Sequence, residues 1–403
     1  MSHRSFSQRR PLDFALEGIA VIVLAALAAT VIGLHFTQPE IPYGRESDAF
    51  TATVRARITD VRDIQITSES SGLVIVDQTL SLRILSAGRY QGTEIVVPYH
   101  GMGSTQRIAE FTNGQQALVM ISSAPDGSEY FQVADHVRLF PLAALTLTFV
   151  AVTLLVGRRQ GLRALLGLVL SVVIIGGFVI PQILAQRNAV LIGLSGAGLL
   201  VAGTVYLIQG WNAIGHTALF GLLGSLGVSG LLTLLWTSAT QLSGFGSEET
   251  LYLQAIGAGI QMRGLLLAGM IIGVAGVLDD VVLAQSVAVF ELAAANQTMT
   301  KSDLLRSGMR VGVTHLASMV NTLVLAYTST ALPMMLLFYL FPEPWYLTIN
   351  RELIAQEIVR ALVGSLGLMV AVPLTTLIAT GIATKAVPGA SHTGSSQHLS
   401  DSV

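Results

Sequence analysis

Apolar residues gather into eight long runs, at about 15–36, 139–157, 162–185, 189–208, 213–236, 263–292, 308–341 and 359–382. Roughly 20 apolar residues in a helix cross a bilayer core, and every run reaches or approaches that length. The pattern predicts about eight transmembrane helices, counting each run once. Between residues 38 and 138 the rhythm changes. Short stretches there alternate apolar and polar positions at period two: FTATVRARI, GLVIVDQ, LSLRIL, GTEIVVPY, ALVMIS and EYFQV. Turn-formers separate them, at Ser86-Ala87-Gly88, Asn113-Gly114 and Pro125-Asp126-Gly127. Alternation bounded by turns marks strands. Five or six strands in about 100 residues fit a small closed barrel of the OB or SH3-like kind. The expected fold class is a mainly α-helical polytopic membrane protein with a small extracytoplasmic all-β domain.

Composition supports that reading and narrows it. The chain of 403 residues is 52% hydrophobic and 11% charged, with mean hydropathy +0.66. A soluble domain carries about 25% charged residues. A net charge of −2, and a β-region without a basic and aromatic face, give no case for nucleic acid as a partner. The absence of cysteine excludes disulfides, thiolate metal sites and cysteine nucleophiles. No soluble cofactor is implied. His100 and His136 stand too far apart in sequence to indicate a metal site, and read as ordinary histidines.

Charge placement orients the helices. With the N-terminus inside, the inner segments carry Arg4, Arg9, Arg10, Arg158, Arg159, Arg163, Lys301, Arg306, Arg310 and Lys385. The short outer loops carry only Arg187, Arg263, Arg351 and Arg360. By the positive-inside rule both termini are cytoplasmic and the β-domain faces outward. Trp211, Trp236 and Trp345 fall near span ends, where interfacial tryptophans belong. The first apolar run follows three arginines and reads as an uncleaved anchor or as a signal peptide with a small-residue site at Ala26-Leu27-Ala28. Its length favours the anchor. The expected organisation is an N-terminus and anchor over 1–37, an extracytoplasmic β-domain over 38–138, a helical membrane domain over 139–384 and a disordered cytoplasmic tail over 385–403.

Candidate chemistry is concentrated in two runs that exceed a straight crossing. GLLLAGMIIGVAGVLDDVVLAQSVAVFEL holds Asp279, Asp280, Gln285 and Glu291; GMRVGVTHLASMVNTLVLAYTSTALPMMLLFYLF holds Thr314, His315, Ser318, Asn321 and Thr322. Ionisable groups at membrane depth are costly and generally face a bundle interior or a wet cavity. Counting from Arg263, the aspartates lie roughly 24–26 Å along the helix, within the bilayer. Asp280 shares a helix face with Ala284, Val287 and Glu291, the last expected at the inner boundary. Thr314, Ser318, Asn321 and Thr328 share a face of the second helix, with His315 and Thr322 on a neighbouring line. By depth, Thr314, His315 and Ser318 can stand beside the aspartates. Such a set suits proton relay or cation coordination, or a hydrogen-bonded seam that locks helices together. The Asp279-Asp280 pair and the stretch Thr328–Pro333 are plausible helix interruptions, a pointer to a transporter site. Glycines at Gly221, Gly224, Gly227 and Gly230, and the pair Gly269 and Gly273 with Gly276 following, predict close helix packing, with a ligand-contacting glycine face as the alternative.

The same region resembles the YibE/F-like family of bacterial multipass membrane proteins. The resemblance rests on Asp279, Glu291, Ser307-Gly308-Met309 and the stretch Asn321–Tyr327. Two departures stand out: Asp279-Asp280 doubles the family's single aspartate, and Thr314-His315 replaces an Asp-Ile-Met-like run. The resemblance implies a multipass architecture in a bacterial inner membrane with an outward N-terminal domain, and no particular biochemical activity.

Three functions follow as expectations. The first is a transporter or permease for an ion or small solute, with Asp279 and Asp280 as the ion-binding group and Asn321 positioning substrate. The second is a scaffold, assembly factor or sensor whose outer β-domain binds an extracytoplasmic partner. The third, an intramembrane aspartyl enzyme, fits poorly, because adjacent residues on one helix point roughly 100° apart. Serine-hydrolase, zinc-protease and P-loop patterns are not found.

Overall fold

The computed structural model describes residues 50–68, 73–104, 110–123, 128–255 and 259–386. The expected anchor with its cleavage alternative, and the tail beyond Ala386, lie outside the described residues. The chain forms two compact units that meet in sequence between Leu155 and Val156.

The first unit is built on five strands: β1 (Phe50–Ser68), β2 (Leu73–Ile84), β3 (Glu94–Ser104), β4 (Gln116–Ser123) and β5 (Glu129–His136). All pairings are antiparallel, in the order β3-β2-β1-β4-β5. Alternation carries Val54, Ala56 and Ile58 of β1, and Leu80, Leu82 and Ile84 of β2, into one core with Val119 and Ile121 of β4. Register shifts between Ile58 and Asp60 and between Arg62 and Gln65 bend β1, so it serves β4 with its first half and β2 with the rest. The stretches GLVIVDQ and LSLRIL, read separately in the sequence, are one strand.

The expected closed barrel is a half-barrel. Strands β3 and β5 approach each other but share no backbone ladder among the described residues. Phe111 fills the opening, edge-on to Tyr99 at 4.8 Å and stacked on His136 at 3.9 Å between ring centroids. The buried Gln78 side chain fixes it: Nε2 donates to the Phe111 carbonyl at 3.2 Å, and the Phe111 amide donates to Oε1 at 2.9 Å. A strand-interior glutamine thus supplies the two bonds that a neighbouring strand would otherwise make. Gln78→Leu leaves both backbone groups buried and unpaired, at about 1–3 kcal/mol each. The expected result is faster hydrogen exchange across β2 and the Phe111 loop of the full-length protein, and unchanged exchange would contradict this. On the outer surface, His100 pairs with Asp77 across β2–β3 at 2.5 Å, and the Arg138 guanidinium hydrogen-bonded to Asp135 holds its carboxyl below the usual carboxylate range.

The helical part begins with α1 (Leu139–Ile174), a π-helical turn (Ile175–Val179) and α2 (Ile180–Leu184). This apolar stretch of 46 residues is about 69 Å of helix, twice a bilayer core. Its backbone leaves helical geometry at Arg158, φ 47° and ψ −123°, which divides it where the sequence divides its two runs. The π turn precedes Pro181, whose ring and missing N–H disrupt the regular ladder at residue 177.

Then come α3 (Ala189–Gln209), α4 (Ala213–Ala239), α5 (Glu248–Ala255), α6 (Met262–Ala295) and α7 (Lys301–Thr330). The short α8 (Leu332–Leu340) and α9 (Trp345–Asn350) lead to α10 (Glu352–Ala386). Side-chain oxygens of Asn188, Asn212 and Thr300 cap α3, α4 and α7. Among the described residues six helical stretches are long and apolar enough to cross a membrane.

Helix α6 is the centre, packed against α3, α4, α7 and α10; α10 also packs on α4 and α7. Leu219, Leu222, Ile271, Leu278 and Leu368 lie fully buried there. Hydroxyls inside the bundle turn onto their own helix: Thr217, Ser225 and Thr233 of α4, with Ser365 and Thr376 of α10, donate to carbonyls four residues back. Close approach depends on glycine at α3–α6, where a Cβ on Gly193 would sit 2.7 Å from the Ala268 backbone. Gly193→Leu is therefore expected to prevent assembly of this pair, read as loss of monodisperse protein in detergent. A monodisperse Gly193→Leu protein of unchanged thermal stability would contradict it.

The expected interruption of the first long run at Asp279-Asp280 is absent, because α6 is continuous from Met262 to Ala295. Nothing in GVLDDVV breaks a helix, and projection beyond a bilayer accommodates its length. The second run does break. Helix α7 ends at Thr330, Ala331 intervenes, and Pro333 stands in the first turn of α8. Ser329 and Thr330 donate to the Ala326 and Tyr327 carbonyls at 2.7 Å beside the break.

Candidate functional site

The site grows from the wheel of α6. Val274, Leu278, Val281 and Val282 point into the bundle, which turns Gly269, Gly273, Gly276, Asp280 and Ala284 outward along one face. A Cβ at Gly269, Gly273 or Gly276 would meet no atom within 4 Å. Among the described residues no neighbouring helix packs on these three glycines, and they lie along an exposed face that leads to Asp280. Their spacing matches a packing motif, and nothing in the sequence says whether a partner helix uses it.

Asp279 sits half-buried beside that face, turned toward α3. Its Oδ2 accepts from Thr204 Oγ1 at 3.2 Å, while its Oδ1 is buried without a hydrogen-bond partner among the described residues. The Thr204 hydroxyl has one proton and two further acceptors in reach, the Leu200 carbonyl at 2.9 Å and the Val201 carbonyl at 3.2 Å. It donates to one at a time. Asp280 is exposed on the glycine face.

Helix α7 packs through Leu304, Gly308, Gly312 and Leu323. That register puts His315 on the flank toward Asp280, with Ser318 and Thr322 further round and exposed. Thr314 and Asn321 are exposed on the side opposite Gly312 and Leu323. The structure thus sets Asp279 against α3, leaves Asp280 on the open face with His315 on the near flank of α7, and leaves Thr314 and Asn321 on the far side of α7. Among the described residues only 11% of the apolar part of α7 is buried, against 56% for α6, so its polar face is exposed there.

Gln285 has a different place. It is buried, and its Nε2 donates to the Gly308 carbonyl and to Thr376 Oγ1, both at 2.8 Å. It ties α6 to α7 and α10, a seam rather than a ligand. Glu291 is exposed roughly 16 Å along the helix from Asp280, apart from the aspartates.

Sequence reasoning missed Thr204, a threonine in an otherwise apolar helix, whose role appears only from its packing on α6. It also missed the Glu357–Arg360 pair at 2.7 Å in α10, with the guanidinium 5.9 Å from the Tyr327 ring centre. Its i, i+3 spacing was a usable signal. A third omission is the buried His216, whose Nδ1 lies 2.9 Å from the Tyr206 hydroxyl beneath Trp211.

A bundle of long apolar helices, preceded in the chain by a β half-barrel, defines a polytopic membrane protein. The chain belongs to the YibE/F-like protein family, whose model matches residues 145–385. That match covers the helical part, more than half of the chain. No curated protein and no solved structure matches it.

Proposed function

We propose that the chain is a transporter or permease in which Asp279 and Asp280 bind a proton or another small cation within the membrane. The observation that carries this reading is Asp279: one oxygen shared with a rotatable hydroxyl, the other buried and unpartnered, next to an open glycine-floored face with a second carboxylate. Buried acceptors are ordinarily paired, so the open Oδ1 beside the glycine face is a position that can receive a proton or a small cation. Two hydrogen-bond sets are available. When Asp279 is ionised, Thr204 donates to it. When Asp279 is protonated, its own hydroxyl donates to Thr204 Oγ1 and Thr204 donates to the Leu200 carbonyl. Turning one side chain keeps the Asp279–Thr204 hydrogen bond in both the loaded and the unloaded state. Asp280 and His315 on the open face then form the step between Asp279 and the aqueous side. Eight crossings, counting the first apolar run and the two halves of the Arg158-broken stretch, would leave both termini on one side, and the positive-inside bias supports the cytoplasm for them and the outside for the β half-barrel.

Vesicles reconstituted with the protein and a trapped pH indicator test this under an imposed membrane potential. Protein-dependent proton entry that Asp280→Asn reduces at least about tenfold is expected. Flux indifferent to Asp280→Asn, with the variant folded, overturns the reading. The second reading, a sensor or assembly factor acting through the β half-barrel, is favoured by the uncovered polar strands that carry His100 and Asp77. It predicts that deletion of residues 40–138 abolishes cellular function while both aspartates are dispensable.

A further inference from the structure

Helices α3 and α4 diverge to leave a groove of about 670 Å³. Its walls are apolar, with Leu191 and Leu194 from α3 and Leu223 and Leu226 from α4, and its floor is opened by Gly198 and Gly227. Ser195 also lines it but presents no free hydroxyl, because its Oγ donates to the Leu191 carbonyl at 2.7 Å. The polar groups are gathered at one end, where Arg187 and Asn188 form the mouth. The Asn188 side-chain oxygen is used in capping α3, and its amide nitrogen has no acceptor among the described residues. From Arg187 to Gly198 the groove runs about 16 Å along α3, close to the roughly 15 Å of one bilayer leaflet. The charge-based topology sets Arg187 at the outer interface, and a guanidinium there above an apolar slot about one leaflet deep is complementary to an acyl chain beneath a negatively charged headgroup.

We propose that this groove is a binding site for one anionic phospholipid of the bilayer, its headgroup held by Arg187 and Asn188 and one acyl chain lying between α3 and α4 down to Gly198. The site is separate from the aspartates and does not depend on the transport reading. Gly227 offers a clean way to close it, because a Cβ there meets nothing within 4 Å and the added side chain enters the groove rather than a neighbour.

The test is native mass spectrometry of the full-length protein, delipidated in detergent and titrated with phosphatidylglycerol or with phosphatidylcholine of the same chains. One phosphatidylglycerol should be retained with about tenfold preference over phosphatidylcholine. Arg187→Gln should equalise the two lipids, Arg187→Lys should keep much of the preference, and Gly227→Leu should lower retention of both about tenfold. Preference surviving in Arg187→Gln overturns the headgroup assignment. Retention unchanged in Gly227→Leu overturns the groove and points to another occupant, such as a segment of this chain. The arginine variants decide the matter on their own should Gly227→Leu fail to purify.

Discussion

Asp279→Asn is expected to abolish cation-coupled flux, by at least about a hundredfold, while leaving the folded bundle intact. The side chains are nearly isosteric, and the asparagine oxygen still accepts from Thr204, so the contact to α3 persists. What is lost is the charge and the exchangeable proton. Asp279→Leu, by contrast, also loses the Thr204 contact and is expected to lower stability as well. Thr204→Val separates the two roles. It removes the rotor that serves both charge states, and should slow flux about tenfold without removing the carboxylate. Flux measured in the same vesicles distinguishes these cases: equal flux in wild type and Asp279→Asn would remove Asp279 from the pathway, and full activity in Thr204→Val would remove the rotor.

The second large effect is expected at the seam between α7 and its neighbours. A Cβ on Gly312 would press on Val372 of α10 and approach Gln285 Oε1 to 2.8 Å; one on Gly308 would meet Val289 and Thr376 at 2.9 Å. Gly312→Val therefore forces α7 away from α6 and α10, costing about 1–3 kcal/mol through overpacking. It also pulls the Gly308 carbonyl from Gln285. Thermal unfolding in detergent should show a clear drop for Gly312→Val. Val372→Ala, which vacates the space, should restore part of it, and this non-additivity is the signature of direct contact. Additive effects of the two substitutions would contradict the packing described.

The membrane character, the order of helices and the strand region were legible because each rests on local periodicity. Strands β1 to β5 follow period-two alternation, and the join of GLVIVDQ to LSLRIL was hidden only because Gln78 is polar and faces inward. Its partner is Phe111, 33 residues away. The site was legible in composition but not in geometry. Aspartates in an apolar run announce themselves, yet which way each points depends on which face of α6 is buried. Four neighbouring helices decide that, not the run itself. The same holds for α7. A helical wheel separates the line of Thr314, Ser318 and Asn321 from that of His315, but only Gly308, Gly312 and Leu323 show which line lies nearer the packed side. Gln285 looked like one more intramembrane polar residue, and only the glycines opposite it reveal a seam. The continuity of α6 through Asp279-Asp280 has a simple reason too: aspartate is a mild helix disfavourer, whereas Pro333 removes a hydrogen bond outright.

The measurement that bears most directly on an open, water-reached carboxylate face is single-cysteine labelling along α6, in a chain with no cysteine of its own. Cysteines at Gly273, Gly276, Asp280 and Ala284, and separately at Val274, Leu278 and Val282, would be treated in membranes with a small charged thiol reagent. Labelling confined to the first set, and blocked at Gly276 by a preceding neutral reagent, is the expected result. Uniform protection of both sets would mean that lipid or another helix covers the face, and the transport reading would fall with it.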